Sequence, residues 1–150
     1  MTSQLSSADV PQEDDLAKVR LVLEGLAAGL WNTQDLADKS GVSRRHVGYS
    51  INAAIVLGWV VDGETGLGVT DSGKALLSQQ KGTPEERAEL RKAVEGSAPL
   101  KEVAPDLLGE AAPTRVQLGE RICAATGLAK STGERRAQAL LAWRRQVLAK

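Results

Sequence analysis

Apolar positions along the chain return at helical spacing through most of its length. From Asp14 onward, Leu16, Val19, Leu23 and Leu26 recur three and four residues apart, the stripe of an amphipathic helix. "GLAAGLWN" ends it. Asn32 or Thr33 can cap a short second helix that runs through Asp38, with Leu36 and Ala37 turned inward. "KSGVS" then reads as a tight turn, with Gly41 where a positive φ is easiest. Ser43 caps a third helix reaching about Leu57, whose inward stripe is Val47, Ile51, Ala54 and Ile55. Here the period changes. Trp59, Val60 and Val61 favour a strand, "DGETG" supplies turn residues and "LGV" the return strand, so a small hairpin is expected. Thr70 or Asp71 caps a fourth helix in "SGKALLSQQ".

This order of helix, helix, tight turn, helix, hairpin, helix is that of a winged helix-turn-helix. The expected fold class is therefore mainly α, a winged helix-turn-helix with a small β-hairpin wing, over residues 14–80. Residues 1–13 are rich in Ser, Gln, Asp, Glu and Pro and read as a disordered tail. Residues 81–150 read as a C-terminal helical extension. It opens at Thr83, with Pro84 at the first helical position and Glu86 placed for a capping box. A stretch broken by prolines follows, tucking Leu100, Val103, Leu107 and Leu108 inward. The last segment echoes the earlier turn. "DLADKSGVSRRHVGYSINAAIVLGW" and "RICAATGLAKSTGERRAQALLAW" each hold a short helix, a Gly turn (Gly41, Gly127), an apolar residue (Val42, Leu128) and a longer helix that reaches a tryptophan (Trp59, Trp143). Ser131 is the expected cap of the second long helix, with Glu134 in the capping-box place. The register slips by two residues before the tryptophan, so the extension is either a second helix-turn-helix-like unit or an ordinary helical hairpin.

Composition narrows the class of partner. The chain of 150 residues is 42% hydrophobic and 25% charged, ordinary for a globular protein, and its core must be aliphatic because it has no Phe, three Trp and one Tyr. No apolar run is long enough for a membrane span, and the polar, acidic start lacks a signal-peptide core, so a cytoplasmic location and no membrane partner are expected. Cys123 is the one cysteine, which excludes a disulfide framework and points to a buried thiol. The net charge is zero, but it is unevenly spread. Residues 1–80 hold six Lys/Arg against ten Asp/Glu, and residues 111–150 hold eight against two. A concentrated basic segment is the footprint of an anionic partner, although a solvated basic helix has the same composition.

The candidate chemistry lies on two helices. On the third, Arg45, Tyr49 and Asn52 share a face with Val56, with Arg44 and Gly48 at its edge. Arg can bond guanine and Asn adenine in the major groove, and Ser43 can offer helix N-terminal N–H groups to a phosphate. No acidic residue falls between Arg44 and Leu57. Gly48 is explained either by close approach of a partner or by close packing on the second helix. His46, the only histidine, has no Cys or carboxylate at metal-ligand spacing and is expected to contact phosphate or face solvent. On the closing helix, Lys130, Ser131, Thr132, Arg135 and Arg136 could hold phosphates at a helix N-terminus. Alternatively, these arginines pair with Asp14, Asp15 or Glu24 of the acidic half. Trp31, Trp59 and Trp143 are expected to pack as lids on the core. The hairpin tip, with Asp62 and Glu64, is acidic and has nothing to grip phosphate. No phosphate loop, nucleophile–histidine pair or carboxylate cluster is present, so neither catalysis, nor a metal, nor a cofactor is expected.

"SGVSRRHVGYSINAAIVLGWVV", "LGVTDSGKALL" and "TGLAKSTGERRAQALLAWRRQVL" together resemble the winged-helix modules of bacterial defence proteins, often attached to restriction endonucleases. The resemblance extends over about residues 14 to 148, with "STGERRAQALLAW" as its more distinctive part. It implies binding of double-stranded DNA, as a transcription regulator or as the DNA-targeting module of a defence system, with any nuclease elsewhere. The DNA-facing helix would be Ser43 to Asn52 and the signature arginines Arg135 and Arg136. The acidic hairpin departs from that pattern. Relatives of such modules include readers of methylated DNA. The rival expectation is a protein–protein module, docking a homodimer partner or an effector through the same scaffold.

Overall fold

The computed structural model describes residues 5–149. Among them are eight α-helices and one two-stranded antiparallel sheet, a mainly α fold. In chain order they are α1 (Leu16–Ala27), α2 (Thr33–Ser40), α3 (Arg44–Val56), β1 (Val60–Gly63), β2 (Gly66–Val69), α4 (Asp71–Leu77), α5 (Pro84–Gly96), α6 (Ala98–Val103), α7 (Arg115–Thr126) and α8 (Lys130–Leu148). Most starts are set by side chains that accept an orphan N–H of the first turn: Asp15, Asn32, Ser43, Thr70, Thr83, Ser97 and Thr114 each do so. At α5 the Glu86 carboxylate takes the Gly82 N–H (2.9 Å) and Arg20, so the expected reciprocal box at Thr83 is not formed.

The core has two parts, and α1 serves both. Val19 and Leu23 face the larger one, with Ala53, Trp59, Leu76, Leu100, Leu118, Ile122, Leu140 and Trp143. Val22 faces a smaller one with Leu36, Val42 and Val47, beneath the turn between α2 and α3. The hairpin pairs Val60 with Val69 and Val61 with Gly68, and α4 closes on its base. A Cβ on Gly73 would lie 2.5 Å from the Trp59 carbonyl oxygen, so only glycine fits that crossing. Arg20, 6% exposed, knits α1 to the segment that follows α4: it donates to Glu86 (2.6 Å), Glu24 (3.2 Å) and the Gln79 carbonyl (2.6 Å).

Four expectations are corrected here. The segment read as a disordered tail is packed over residues 5–13, residues 1–4 lying outside the described part. Ser7–Asp9 form a 3-10 turn, and Val10 and Glu13 are wholly buried. The composition argument failed because this segment supplies acceptors that α8 needs: Arg136 donates to the carbonyls of Ser7 (2.7 Å) and Val10, and Trp143 Nε1 to that of Glu13 (2.8 Å). Secondly, Trp59 and Trp143 are buried, but Trp31 is 77% exposed, because Leu30 takes the inward place beside the smaller core cluster and the chain turns out at Trp31. Thirdly, Ile55 is 39% exposed; the buried stripe of α3 is Val47, Ser50, Ala53, Ala54 and Val56, with Ile51 half-buried. Finally, Cys123 is half-buried rather than buried. Among the described residues, no helix is long and apolar enough to cross a membrane.

Candidate functional site

Two local devices position the residues singled out from the sequence, and they are alike. In the first, Gly41 ends α2 in the left-handed region (φ 74°, ψ 6°), its N–H donating to the Ala37 carbonyl (2.9 Å). The Ser40 hydroxyl donates back to the Leu36 carbonyl (2.6 Å) and accepts the Val42 N–H (3.2 Å). In the second, Gly127 ends α7 (φ 79°, ψ 6°) with its N–H on the Cys123 carbonyl (2.8 Å). Thr126 donates to the Ile122 carbonyl (2.6 Å) and accepts the Leu128 N–H (3.2 Å). The residues that open the long helices match as well, Ser43 at φ −61°, ψ 154° and Ala129 at φ −64°, ψ 153°. The cap of α8 is therefore Ala129, without a side-chain bond, and not Ser131, which lies inside the helix.

On α3, Ser43 accepts the His46 N–H (3.3 Å), and Arg44 and Arg45 stand exposed in the first turn. Arg45 Nε donates to the Tyr49 hydroxyl (2.9 Å), and its guanidinium carbon lies 5.6 Å from the ring centroid. The hydrogen bond to Tyr49 raises the Arg45 pKa above its ordinary value. His46 meets the Tyr49 ring edge-on, centroids 5.5 Å apart, and its Nδ1 donates to the buried Glu13 carboxylate (2.9 Å). Neither solvent nor phosphate is thus the principal partner of that nitrogen. Asn52 donates to the Ala8 carbonyl (3.0 Å), which draws its amide toward the N-terminal segment. Gly48 is exposed, and a Cβ built on it meets nothing within 4 Å. Packing against α2 does not account for it.

On α8, Lys130, Ser131 and Arg135 are exposed, and Thr132 is half-buried. Arg135 makes no hydrogen bond or ion pair with a described residue. Its neighbour Arg136 is 9% exposed and spends its guanidinium on the Ser7 and Val10 carbonyls. Burial pushes the Arg136 pKa down from its usual value, and Arg135 beside it adds in the same direction. Arg136 is therefore a structural side chain, a correction to its expected place among phosphate contacts. The alternative of pairing with the acidic half is not seen either: Glu24 binds Arg20 and Lys81, and neither Arg135 nor Arg136 meets Asp14, Asp15 or Glu24.

The structure brings Arg45, His46, Tyr49, Thr132, Arg135 and Arg136 to one cleft of about 370 Å³, between the N-terminal halves of α3 and α8. Ser43, Arg44, Asn52 and Ser131 lie outside it, and Lys130 lines a separate hollow between α7 and α8 with Cys123 and Glu134. Two polar residues that line the cleft were not singled out from the sequence, Gln12 and Gln138; Asp14, expected as a partner of the α8 arginines, lines it too without pairing with them. Gln12 was hidden in the supposed tail. Gln138 had a signal, since it follows Gly127 at the distance by which Asn52 follows Gly41. Among the described residues, no group of three or more His, Cys, Asp or Glu could hold a metal ion. Comparison with known proteins finds no matching family, no similar curated protein and no similar solved structure, so geometry alone carries the functional argument.

Proposed function

We propose that the chain is a non-catalytic binder of double-stranded DNA, a winged helix-turn-helix whose α3 lies in the major groove. The observation that carries this reading is the exposed face of α3. Arg44 and Arg45 stand there with no acidic partner among the described residues, around a glycine that no contact with a described residue explains. A helix that is merely solvated mixes its charges; a face that lacks acid and lacks bulk suits a polyanion approaching closely. Arg44, Arg45 and Tyr49 supply groove contacts. Arg135 and the free first-turn N–H groups of α8 take backbone phosphate. The acidic hairpin tip stays clear of the duplex. In this reading the chain is a regulator or the DNA-targeting module of a defence or restriction system.

Fluorescence anisotropy with random-sequence duplex, titrated first at low and then at moderate salt, tests it. Binding that weakens steeply with salt, with a slope of about 0.9 per phosphate neutralised, is the expected result. The double variant Arg44→Ala/Arg45→Ala should lose it. A double variant that binds like the wild type, or a wild type that does not bind at low salt, sinks the proposal.

One observation favours a second reading. Trp31 holds a large apolar ring in water, 77% exposed, in a chain with only three tryptophans. A protein–protein or dimerisation module would use it. A defined oligomer by light scattering, dispersed by Trp31→Ala, together with no DNA affinity, selects that function instead.

A further inference from the structure

The repeated turn has a consequence beyond phosphate holding by α8. We infer that α7 and α8 form a second DNA-reading unit, acting on the same duplex as α3; this rests on the DNA-binding reading above. The match between the two units is geometric and extends past the glycine. Backbone angles at Gly41 and Gly127 agree within 5° in φ and coincide in ψ, and those at the helix-opening residues Ser43 and Ala129 agree within 3°. The hydroxyl of the preceding residue makes the same two hydrogen bonds in each. Counted from the glycine, Arg135 stands where Tyr49 does and Gln138 where Asn52 does. Ser50 and Arg136 also correspond, and both are buried against the same N-terminal segment, Ser50 on Glu13 (3.5 Å) and Arg136 on Ser7 and Val10.

The side chains fit reading. Gln bonds adenine bidentately in the major groove as Asn does, and Arg bonds guanine or phosphate. Gln138 is exposed and makes no bond with a described residue, whereas Asn52 is drawn to Ala8. Two acids lie near this face: Asp14 lines the cleft beside Arg135 and Gln138, and Glu134, which corresponds to Gly48, sits over Gly119 and faces Arg115 (3.7 Å). Arg45 and Tyr49 of one unit and Arg135 and Gln138 of the other line one cleft, which sets part of each face beside the other for a single duplex.

The test uses the full chain with Gln138→Ala, Arg135→Ala and Arg44→Ala/Arg45→Ala, each checked for folding by circular dichroism. Enrichment from a randomised duplex pool is compared with affinity on random duplex. The expected result is a wild-type preference in two blocks. Gln138→Ala should erase one block, with about tenfold loss on the preferred site, while the other block persists. Arg135→Ala should also flatten the salt dependence by about one unit. If both α8 variants keep the wild-type affinity and preference while the α3 variant fails, α8 does not read, and DNA binding by α3 stands. An even loss of affinity without any change in preference makes α8 a phosphate clamp and equally overturns reading. Failure of the wild type to bind duplex removes both proposals together.

Discussion

Replacing Gly48 by alanine should move stability and DNA affinity in opposite directions. Gly48 lies in the interior of α3, and a Cβ there meets nothing within 4 Å. Glycine in a helix interior is less favourable than alanine by about 0.5–1 kcal/mol, because the unfolded chain loses more freedom on ordering. Nothing in the fold offsets that gain, so Gly48→Ala should stabilise by about 0.5–1 kcal/mol. In a chain of 150 residues this is a rise in Tm of roughly 1–4 °C. Thermal melting by circular dichroism reads it directly. If the glycine is there to let a duplex come close, the same substitution weakens binding, and Gly48→Leu weakens it further without loss of Tm relative to Gly48→Ala of more than a few tenths of a kcal/mol. A fall in Tm on Gly48→Ala refutes the structural half of the reasoning. Unchanged DNA affinity with the leucine variant refutes the functional half.

Gly133→Ala should destabilise by about 1–3 kcal/mol in denaturant titration, because its Cβ would collide with Cys123 Sγ and lie 3.0 Å from the Gly119 carbonyl; Cys123→Ala should restore only part of the loss, since the backbone contact remains. Arg136→Met keeps the packing volume but abandons the buried Val10 carbonyl and the part-buried Ser7 carbonyl, and should lower stability by about 1–3 kcal/mol, with protease cleavage near residues 7–10 as a second readout. Asp106 is paired with Arg121 (2.7 and 3.1 Å), whose hydrogen bonds hold its pKa below the ordinary value. A carboxylate with a lowered folded pKa stabilises above the unfolded value and ceases to do so as pH falls through the folded one. Asp106→Asn should thus be less stable by up to about 1 kcal/mol at neutral pH, the pair being 40% exposed, and the difference from wild type should vanish on acidification below the normal aspartate range.

Much of the architecture was legible because it is encoded locally. Caps at Ser43, Thr70 and Thr83 and the turn at Gly41 depend on residues within four positions, and such signals survive in a single sequence. What was not legible depends on distant partners. Trp31 carries the same apolar label as Trp59, and only the competition with Leu30 for the inward place separates them. Ser131 has a capping side chain and Ala129 has none, yet the Gly127 turn dictates that the helix opens at Ala129. Had the alignment of the two turns been given priority over capping preference, Ala129 would have fallen opposite Ser43.

The N-terminal segment shows why composition misled on the candidate site itself. Glu13, Asp14 and Asp15 look like a solvated acidic run, and by side chain alone nothing recommends them for burial. Only Glu13 is buried, and its burial follows from what the helices present. Arg136 and Trp143 carry donors on the inner side of α8, and His46 and Ser50 carry donors on the flank of α3. An extended segment passing between them satisfies both sets, the first with backbone carbonyls and the second with the Glu13 carboxylate. The strap thereby fixes α3 and α8 on either side of one cleft and decides the fate of two adjacent arginines. Arg136 lies one residue further round the helix, turned into the strap, and is consumed by it. Arg135 has no hydrogen-bond or ion-pair partner among the described residues and lines the cleft with Arg45 and Tyr49. A pair that reads in sequence as one basic patch is therefore one structural and one available charge. An assay that mutates the two together would confound the loss of the Arg136 anchor with any effect on the proposed binding, which is why Arg135 has to be tested alone.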